Sequence, residues 1–382
     1  MADLHARYPA FSDIRSRARA RLPRFVWDYL DSATGTESTL TRNRASFDRI
    51  GFLPSILHGE MEFDIGRDFL GHRFPLPFGM APIGMVGLIW PDAEGHLARA
   101  ARDLGIPYGL STVASQTPED VAPHLGAHGW FQLYPPRDPD IRRDMLARAR
   151  DAGFTTLVLT ADVPVASRRE RQTRSGLVQP PRLTPRLLAQ VAMRPAWAIG
   201  TARHGMPHMR TLDKYISAEG RTLPPTAHVG YLLRTSPDWD YLRWLRDEWD
   251  GNLIVKGVLR ENDCAPLKAA GVDALWISNH AGRQFDAAPP AIDLLPTIRA
   301  ATDLPLILDS GVESGLDILR AISRGADLVM LGRAWPMALA ALGPQGPAHL
   351  AETLARDLRA NMGQLGAPDL DSLPPEVSLE GA

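Results

Sequence analysis

The chain has 382 residues, 45% of them hydrophobic, and a formal net charge of −2. A nearly neutral chain has no bulk electrostatic attraction for nucleic acid, and its single cysteine, Cys264, cannot form an intrachain disulfide. The first residues lack the apolar core of a signal peptide, and prolines interrupt the longest uncharged stretch, 75–91. We therefore expect a cytoplasmic globular protein from a reducing compartment.

Residues 1–74 carry two helical patterns, and from residue 75 short apolar runs alternate with stretches rich in alanine, leucine and arginine. The apolar runs have the length and residue types of buried strands. The eight predicted strands are Leu76–Ala81, Tyr108–Ser111, Trp130–Leu133, Thr156–Thr160, Leu253–Lys256, Leu275–Ser278, Leu306–Leu308 and Leu328–Leu331. Eight such units predict an α/β fold, a (β/α)₈ TIM barrel; an open doubly wound sheet is the alternative.

A long insertion, residues 164–235, separates the predicted fourth and fifth strands. Its segment 168–210 holds nine arginines and one acidic residue. Apolar residues among these arginines favour an interfacial segment that contacts a membrane or an electron-accepting partner, whereas a solvated lid over the active site is the alternative. These apolar residues are Val191, Met193, Trp197 and Ile199. We expect one domain, 1–382, made of an N-terminal helical segment (1–74), a barrel (75–345) containing the insertion, and a C-terminal helix and tail (346–382).

The residues that directly follow the predicted strands are mostly polar. In this barrel, active sites lie at the carboxyl ends of the strands, so these residues form the candidate site. In strand order they are Ala81-Pro82-Ile83-Gly84, Ser111-Thr112, Gln132-Leu133-Tyr134, Thr160-Ala161-Asp162, Lys256-Gly257, Ser278-Asn279-His280 with Arg283, Asp309-Ser310-Gly311, and Gly332-Arg333. The set contains an acid–base histidine, a carboxylate and cations, but no ligand spacing typical of a metal site.

The last two predicted strands indicate a phosphate site. Both are followed by glycines, in LILDSGVESG (306–315) and LVMLGR (328–333). The loops after strands seven and eight often bind phosphate in this fold, here with backbone N–H groups and Arg333 as donors. Lys256, on the barrel wall, would place a positive charge beside an anionic cofactor ring. Together these features predict flavin mononucleotide, FMN.

The motifs at the strand ends resemble those of a known family. Ser278–Asp286, SNHAGRQFD, is similar to the family signature SNHGGRQLD. The supporting matches are FQLY (131–134), LTADVP (159–164), SRRE (167–170), VKGV (255–258) and LDSG (308–311). On these motifs the chain resembles the FMN-dependent α-hydroxy acid oxidases and dehydrogenases, which include glycolate oxidase, L-lactate dehydrogenase and mandelate dehydrogenase. The resemblance covers nearly the whole chain, beginning with VWDYLDSATG (26–35).

The resemblance implies a role for each matched residue. His280 would be the catalytic base, and Asp162 would orient it and stabilise its imidazolium form. Arg169 and Arg283 would bind the substrate carboxylate, and Lys256 would stabilise the reduced flavin. The implied hydrogen-bonding tyrosines are Tyr29 and Tyr134. The implied cofactor contacts are Ala81, Pro82, Ile83, Ser111, Gln132, Tyr134, Thr160, Lys256, Ser278, Asp309, Ser310, Gly311, Gly332 and Arg333.

Four residues depart from the family pattern. Glu313 stands where the family usually has a phosphate-binding arginine, and Ala281 replaces a glycine, which costs energy if that backbone has a positive φ. Val113 and Ala166 are smaller than the tryptophan and leucine of glycolate oxidase. Smaller side chains on the wall predict a larger pocket, and therefore an aromatic or long-chain 2-hydroxy acid as the substrate.

The predicted activity is oxidation of an L-2-hydroxy acid to the 2-oxo acid, with electrons passing through FMN to quinone or another carrier. The alternatives are an oxidase that converts O₂ to hydrogen peroxide, a non-catalytic flavin-barrel binding protein, and a flavin barrel of the dihydroorotate or isopentenyl type. Barrels of that last type lack the histidine–arginine pair after strand six. The resemblance also implies a homotetramer, with peripheral contact on the cytoplasmic membrane face through residues 168–210.

Overall fold

A computed structural model describes residues 3–177, 184–215 and 236–379. Eight parallel strands form a closed barrel, and the last strand pairs with the first where Val329 lies opposite Phe78. The barrel strands are β1 (Phe78–Met80), β2 (Tyr108–Ser111), β3 (Gly129–Leu133), β4 (Thr156–Thr160), β5 (Asn252–Val258), β6 (Ala274–Ile277), β7 (Leu306–Leu308) and β8 (Leu328–Leu331). The predicted TIM barrel is confirmed, and the open sheet is excluded.

Strand β1 is shorter than the predicted Leu76–Ala81, and β5 is longer than predicted. Pro77 and Pro82 flank β1, and proline has no N–H group to donate to a sheet ladder. Side chains alternate between the two faces of each strand. Trp276 packs inside the barrel, whereas Leu275 and Ile277 pack on the surrounding helices.

A two-stranded hairpin covers the end of the barrel at which the strands begin. Its strands are Arg67–Phe69 and His72–Phe74. Phe69 and Phe74 join the interior cluster, and the Phe69 ring lies 6.1 Å from that of Trp130. With that end closed by aromatic side chains, the opposite end, where the strands finish, is left to form a cavity.

Helices surround the barrel and extend it at both termini. They are Leu4–Arg7, Phe11–Arg21, Arg24–Asp31, Ser38–Asp48, Val86–Ile89, Ala93–Leu104, Pro118–Val121, Pro139–Asp151, Glu170–Arg174, Pro185–Ala192, Pro195–His204, Trp239–Glu248, Cys264–Ala269, Ala291–Ala301, Gly315–Ser323, Ala334–Leu342 and Gly346–Leu365. The 3₁₀ turns are Ala122–His124, Arg210–Tyr215, Glu261–Asp263, His280–Gly282 and Gly343–Gln345, and the short strands Ile50–Gly51 and Val377–Ser378 pair antiparallel. Within the described ranges, no helix is both long enough and apolar enough to cross a membrane.

The described part of the insertion corrects one expectation from the sequence. Trp197, which we expected in an exposed interfacial segment, is 3% exposed. Its indole N–H donates to the carbonyl of Leu88 at 3.0 Å, and its ring meets Phe25 edge-on. A buried indole needs a hydrogen-bond partner, and here a backbone carbonyl supplies it. The tryptophan therefore fixes the insertion to the body of the protein. Arg182 lies outside the described residues.

Candidate active site

A cavity of about 920 Å³ opens where the barrel strands end. Most of the predicted site residues line it. They are Tyr29, Ala81, Pro82, Ile83, Gln132, Tyr134, Thr160, Arg169, Lys256, His280, Arg283, Asp309, Ser310, Gly311, Gly332 and Arg333. Ser111, Asp162 and Ser278 lie one layer behind the wall. Each forms a hydrogen bond with a lining residue, at 2.8 Å to Gln132, 3.0 Å to His280 and 2.5 Å to Lys256 respectively.

His280, on the cavity wall, is paired with the carboxylate of Asp162. Nδ1 of His280 lies 3.0 and 3.1 Å from the two carboxylate oxygens. Burial alone would raise the pKa of Asp162, but the charge and hydrogen bond of His280 hold that pKa below its usual value. An ionised carboxylate only accepts hydrogen bonds, so Nδ1 carries the imidazole proton. This arrangement leaves Nε2 free to accept a proton.

The turn that carries His280 has an unusual backbone. His280 and Ala281 both have left-handed φ values, +56° and +53°. Two backbone N–H groups stabilise the turn, since those of His280 and Ala281 donate to the hydroxyls of Ser278 and Ser310 at 3.0 Å each. A left-handed non-glycine residue costs roughly 1–2 kcal/mol. The positive φ on which the predicted cost of Ala281 depends is therefore present.

Arg283 joins this turn to the N-terminal segment. One of its nitrogens, Nη1, donates to the carbonyls of Tyr29, Leu30 and Ser32 at 3.0, 3.3 and 2.8 Å. Burial, followed by the charge of Arg169, lowers the pKa of Arg283 to about 9. These carbonyls carry no formal charge, so the guanidinium remains a desolvated cation on the cavity wall. Such a cation favours an anionic ligand.

Arg169 and two tyrosines complete this end of the cavity. Arg169 has φ +45° and donates from Nε to the hydroxyl of Ser167 at 3.1 Å. Burial raises the pKa of Tyr29, and burial followed by the charge of Asp162 raises that of Tyr134 to about 12. Both phenols therefore stay protonated near neutral pH; the hydroxyl of Tyr29 donates to the carbonyl of Gly84 at 2.8 Å, and that of Tyr134 can donate to a ligand. Two arginines and two phenols suit a carboxylate next to a hydroxyl or carbonyl group.

The wall between the two ends of the cavity holds a buried cation and an amide. Lys256 is 5% exposed, and its Nζ donates to Ser278 at 2.5 Å and to Asp309 at 2.6 Å. The side chain of Gln132 accepts from Ser111 at 2.8 Å and donates to Thr160 at 2.9 Å. A buried cation and fixed amide donors suit an anionic heteroaromatic ring such as that of a flavin.

The far end of the cavity lies at the loops after β7 and β8. Gly311 has φ +109°, and a Cβ there would lie 3.0 Å from a backbone oxygen, so the loop requires glycine. Nη1 of Arg333 donates to the carbonyl of Asp31 at 3.0 Å. Burial lowers the pKa of Arg333, while the charges of Asp31 and Glu313 oppose that shift. A desolvated cation beside glycine loops fits the phosphate of FMN.

Sequence reasoning missed three residues at this far end. Arg15, Asp31 and Arg44 also line the cavity. They belong to N-terminal helices, so the position of a residue at a strand end could not identify them. The charge pattern of the helix Phe11–Arg21 also gave no signal, because four arginines occur in it and only contacts distinguish Arg15 from the others. Val113 and Ala166, the two small residues singled out in the sequence, line the cavity as expected.

A family model described as FMN-dependent dehydrogenase matches residues 18–379. The chain belongs to the FMN-dependent dehydrogenase family. It is 37% identical to an L-lactate dehydrogenase of Caulobacter vibrioides over 374 residues, 97% of each chain, and 36% identical to an (S)-mandelate dehydrogenase of Pseudomonas putida over 365 residues, 95% of this chain and 92% of that one. The predictions of an FMN-dependent dehydrogenase and of FMN as cofactor are thereby confirmed.

The fold of this FMN-dependent dehydrogenase is also that of a solved relative. The crystal structure of the monotopic membrane protein (S)-mandelate dehydrogenase aligns with a TM-score of 0.91 and 34% identity, over 97% of this chain and 99% of that chain. A mandelate oxidase structure aligns with a TM-score of 0.81 and 31% identity, over 97% and 98%. Solved structures with the same overall fold as this chain therefore include both a dehydrogenase and an oxidase.

Proposed function

We propose that this enzyme oxidises an L-2-hydroxy acid to the corresponding 2-oxo acid. The observation that carries the proposal is that Arg169 and Arg283 share one cavity with the His280–Asp162 pair. The arginines would bind the substrate carboxylate. The histidine would accept a proton from the CH–OH group next to that carboxylate. The relatives named L-lactate dehydrogenase and (S)-mandelate dehydrogenase support the same substrate class.

In this mechanism each side chain has a separate task. Nε2 of His280 takes one substrate proton, and the ionised Asp162 stabilises the resulting imidazolium. Tyr134 donates a hydrogen bond to the substrate and orients it, and Tyr29 does the same by exchanging its bond to the carbonyl of Gly84 for one to the substrate. FMN, when bound, would accept the two electrons that leave the substrate together with its second hydrogen. The oxidation thus requires the substrate carboxylate to be fixed while the α-carbon of the substrate faces His280.

We assign the cofactor contacts by the same reasoning. Lys256 would stabilise negative charge on the reduced flavin ring, and Gln132 would hydrogen-bond to the ring edge. The predicted contacts of Ser111 and Ser278 are better described as support, since both bond to lining side chains. The other proposed ring contacts are Ala81, Pro82, Ile83, Tyr134 and Thr160. The proposed ribityl and phosphate contacts are Asp309, Ser310, Gly311, Gly332 and Arg333.

The small residues Val113 and Ala166 support a bulky substrate side chain. Both line the cavity at the end that holds Arg169 and His280 in our assignment. A substrate with an aromatic or long aliphatic group would fill space that glycolate leaves empty, and buried apolar surface contributes about 25 cal/mol per Å². We therefore place L-mandelate and L-phenyllactate ahead of glycolate as substrates.

We propose quinone or another carrier as electron acceptor, with peripheral membrane contact through the insertion. The insertion exposes apolar side chains beside exposed arginines, as an interfacial segment does. The exposed apolar residues within 168–210 are Leu188, Met193, Ile199 and Met206, and the exposed arginines of its described part are Arg168, Arg174, Arg186, Arg203 and Arg210. A solved relative is described as a monotopic membrane protein, which supports the same contact. The assembly we propose is a homotetramer of single-domain chains.

The test is an anaerobic visible spectrum of the flavin-loaded protein before and after addition of glycolate, L-lactate, L-mandelate or L-phenyllactate. We expect the aromatic acids to bleach the flavin bands fastest, because the pocket has small walls. Air or a quinone is then admitted. Rapid reoxidation by quinone and slow reoxidation by air supports the dehydrogenase; the reverse supports the oxidase. A bound flavin that none of the four acids bleaches would overturn the substrate class.

A further inference from the structure

Glu313 places a carboxylate on the wall of the cavity at its phosphate end. It follows the glycine loop after β7 and begins the approach to the helix Gly315–Ser323. Its backbone N–H donates to Asp317 at 3.0 Å, so the loop position is fixed. A carboxylate and a phosphate dianion repel each other. An enzyme with Glu313 in this position needs a further cation if it is to bind FMN tightly.

Arg15 contacts Glu313 from a distant part of the chain. Its Nη1 lies 3.3 Å from the carboxylate of Glu313, and its Nη2 lies 2.7 Å from that of Asp31. The helix that carries it, Phe11–Arg21, packs against Ala334–Leu342, the helix that begins directly after Arg333. This packing holds the guanidinium of Arg15 at the same end of the cavity as that of Arg333.

Arg15 and Arg44 both reach this end from N-terminal helices, and the contact of Arg15 with Glu313 is weaker than the contacts of Arg44. Arg44 binds Asp317 through both nitrogens, at 2.5 and 2.8 Å, and also donates to the carbonyl of Gly311. By contrast, the Arg15–Glu313 contact is long, and both side chains are about 40% exposed, 39% and 41%. An ion pair of this kind is worth about 1 kcal/mol or less. Arg15 can therefore leave Glu313 at little cost.

The electrostatics of Arg333 point in the same direction. Burial lowers its pKa, and the nearby charges of Arg15 and Arg171 lower it further. Two carboxylates, those of Asp31 and Glu313, oppose that shift. A doubly charged anion placed between Arg15 and Arg333 would relieve the repulsion between these two arginines.

We propose that Arg15 is the second phosphate-binding cation of this enzyme, and that it exchanges its contact with Glu313 for the phosphate of FMN while retaining Asp31. The N-terminal helix thereby supplies the charge that the acidic residue at 313 takes away from the loop after β7. This inference rests on the proposed position of the phosphate beside Arg333. It concerns cofactor affinity and leaves the chemistry at His280 unchanged.

The experiment measures binding of FMN and of riboflavin, which lacks the phosphate, to the flavin-free protein by quenching of flavin fluorescence. Arg15→Ala is expected to weaken FMN binding at least about tenfold, the value of one charge-assisted hydrogen bond, and riboflavin binding less than about twofold. Glu313→Gln is expected to tighten FMN binding about threefold or more, because it removes repulsion. The matched control is Arg24→Ala, on the next helix, whose side chain is 70% exposed. It should change neither affinity.

A rescue variant separates charge from folding. Arg15→Ala combined with Glu313→Arg returns a cation to the phosphate end, and we expect it to recover most of the FMN affinity. Equal weakening of FMN and riboflavin by Arg15→Ala, or FMN affinity within twofold of the wild type, would overturn the inference. Arg333→Ala tests the underlying site. If it weakens FMN binding and Arg15→Ala does not, only the role of Arg15 fails. If neither does, the proposed phosphate position is wrong.

Discussion

The two ends of the cavity are built in different ways. At the end that holds His280, Asp162 and Arg169, most side chains follow barrel strands or the start of the insertion, and Tyr29 comes from an N-terminal helix. At the end that holds Arg333, several of the charged groups come from the N-terminal helices, among them Arg15, Asp31 and Arg44. The first set is fixed mainly by the barrel. The second set depends on how the terminal segment packs against the barrel.

This difference separates chemistry from cofactor retention. A catalytic group must be held in place to within a fraction of an ångström, and strand ends of a closed barrel give that precision. A phosphate needs charge more than exact geometry, so a helix from another segment can supply it. We therefore expect changes at the first end to alter rates and changes at the second to alter affinity or stability.

The largest effect is expected from His280→Gln. Removing the proton acceptor should slow flavin reduction by about 10²–10⁴-fold, while FMN remains bound with a normal spectrum. Anaerobic stopped-flow absorbance with L-mandelate measures the rate. His58→Gln, at an exposed histidine on a surface loop, is the control. A rate within tenfold of the wild-type rate would show that His280 is not the proton acceptor.

Arg283→Lys should have the next largest effect. Lysine keeps the charge but lacks the planar fork that binds a carboxylate through two nitrogens and that also donates to the carbonyls of Tyr29, Leu30 and Ser32. We expect kcat/KM to fall about 10²-fold, with the affinity for riboflavin preserved. Steady-state kinetics with several acids provide the measurement, and Arg174→Lys, on the exposed side of the insertion, is the control. A change in FMN affinity alone would contradict the division between the two ends.

The substitution Asp317→Asn tests whether charge pairs stabilise the phosphate end of the cavity. Asp317 is 1% exposed and binds Arg44; burial would raise its pKa, but Arg44 holds that pKa below the usual value. Its contribution to stability is therefore fully present above the unfolded pKa of about 4, and is lost as the pH falls through the lower folded value. We expect the variant to lose about 2–3 kcal/mol of unfolding free energy at pH 7 and less at pH 3.

Urea unfolding of the two proteins at both pH values measures this difference. Asp240→Asn is the matched control, because Asp240 is highly exposed in its pair with Arg243 and should contribute little. An equal loss of unfolding free energy at pH 7 and pH 3 would mean that ionisation of Asp317 does not matter. The phosphate end would then be stabilised by packing alone.

The smallest effect is expected from Ala281→Gly. Glycine adopts the left-handed conformation of this residue without a Cβ penalty, but it also gains freedom in the unfolded chain. The net gain in unfolding free energy should be about 0.5–1 kcal/mol, measured by thermal unfolding. Ala269→Gly, at the end of a helix, should instead lose stability. A loss at position 281 would show that the turn carrying His280 is stabilised by contacts of the methyl group.

The sequence predicted the barrel, its strands and most of the cavity wall because strand ends of this fold converge on one face. His280 and Asp162 are 118 residues apart, yet each follows a strand, so their meeting was predictable. The contacts of Arg15 with Asp31 and Glu313 were not, since they depend on how a terminal helix docks. Trp197 was misplaced for a similar reason. Its burial is set by a carbonyl of Leu88 that no local pattern reveals.

The bond between Arg333 and the carbonyl of Asp31 joins residues 302 positions apart. During synthesis, the segment containing Asp31 leaves the ribosome long before Arg333 is added. The cofactor site therefore has no complete form on the nascent chain until nearly all of the protein has been made. In the proposed site, FMN would bind only after both segments have been made, and it would then contact the first and the last parts of the chain.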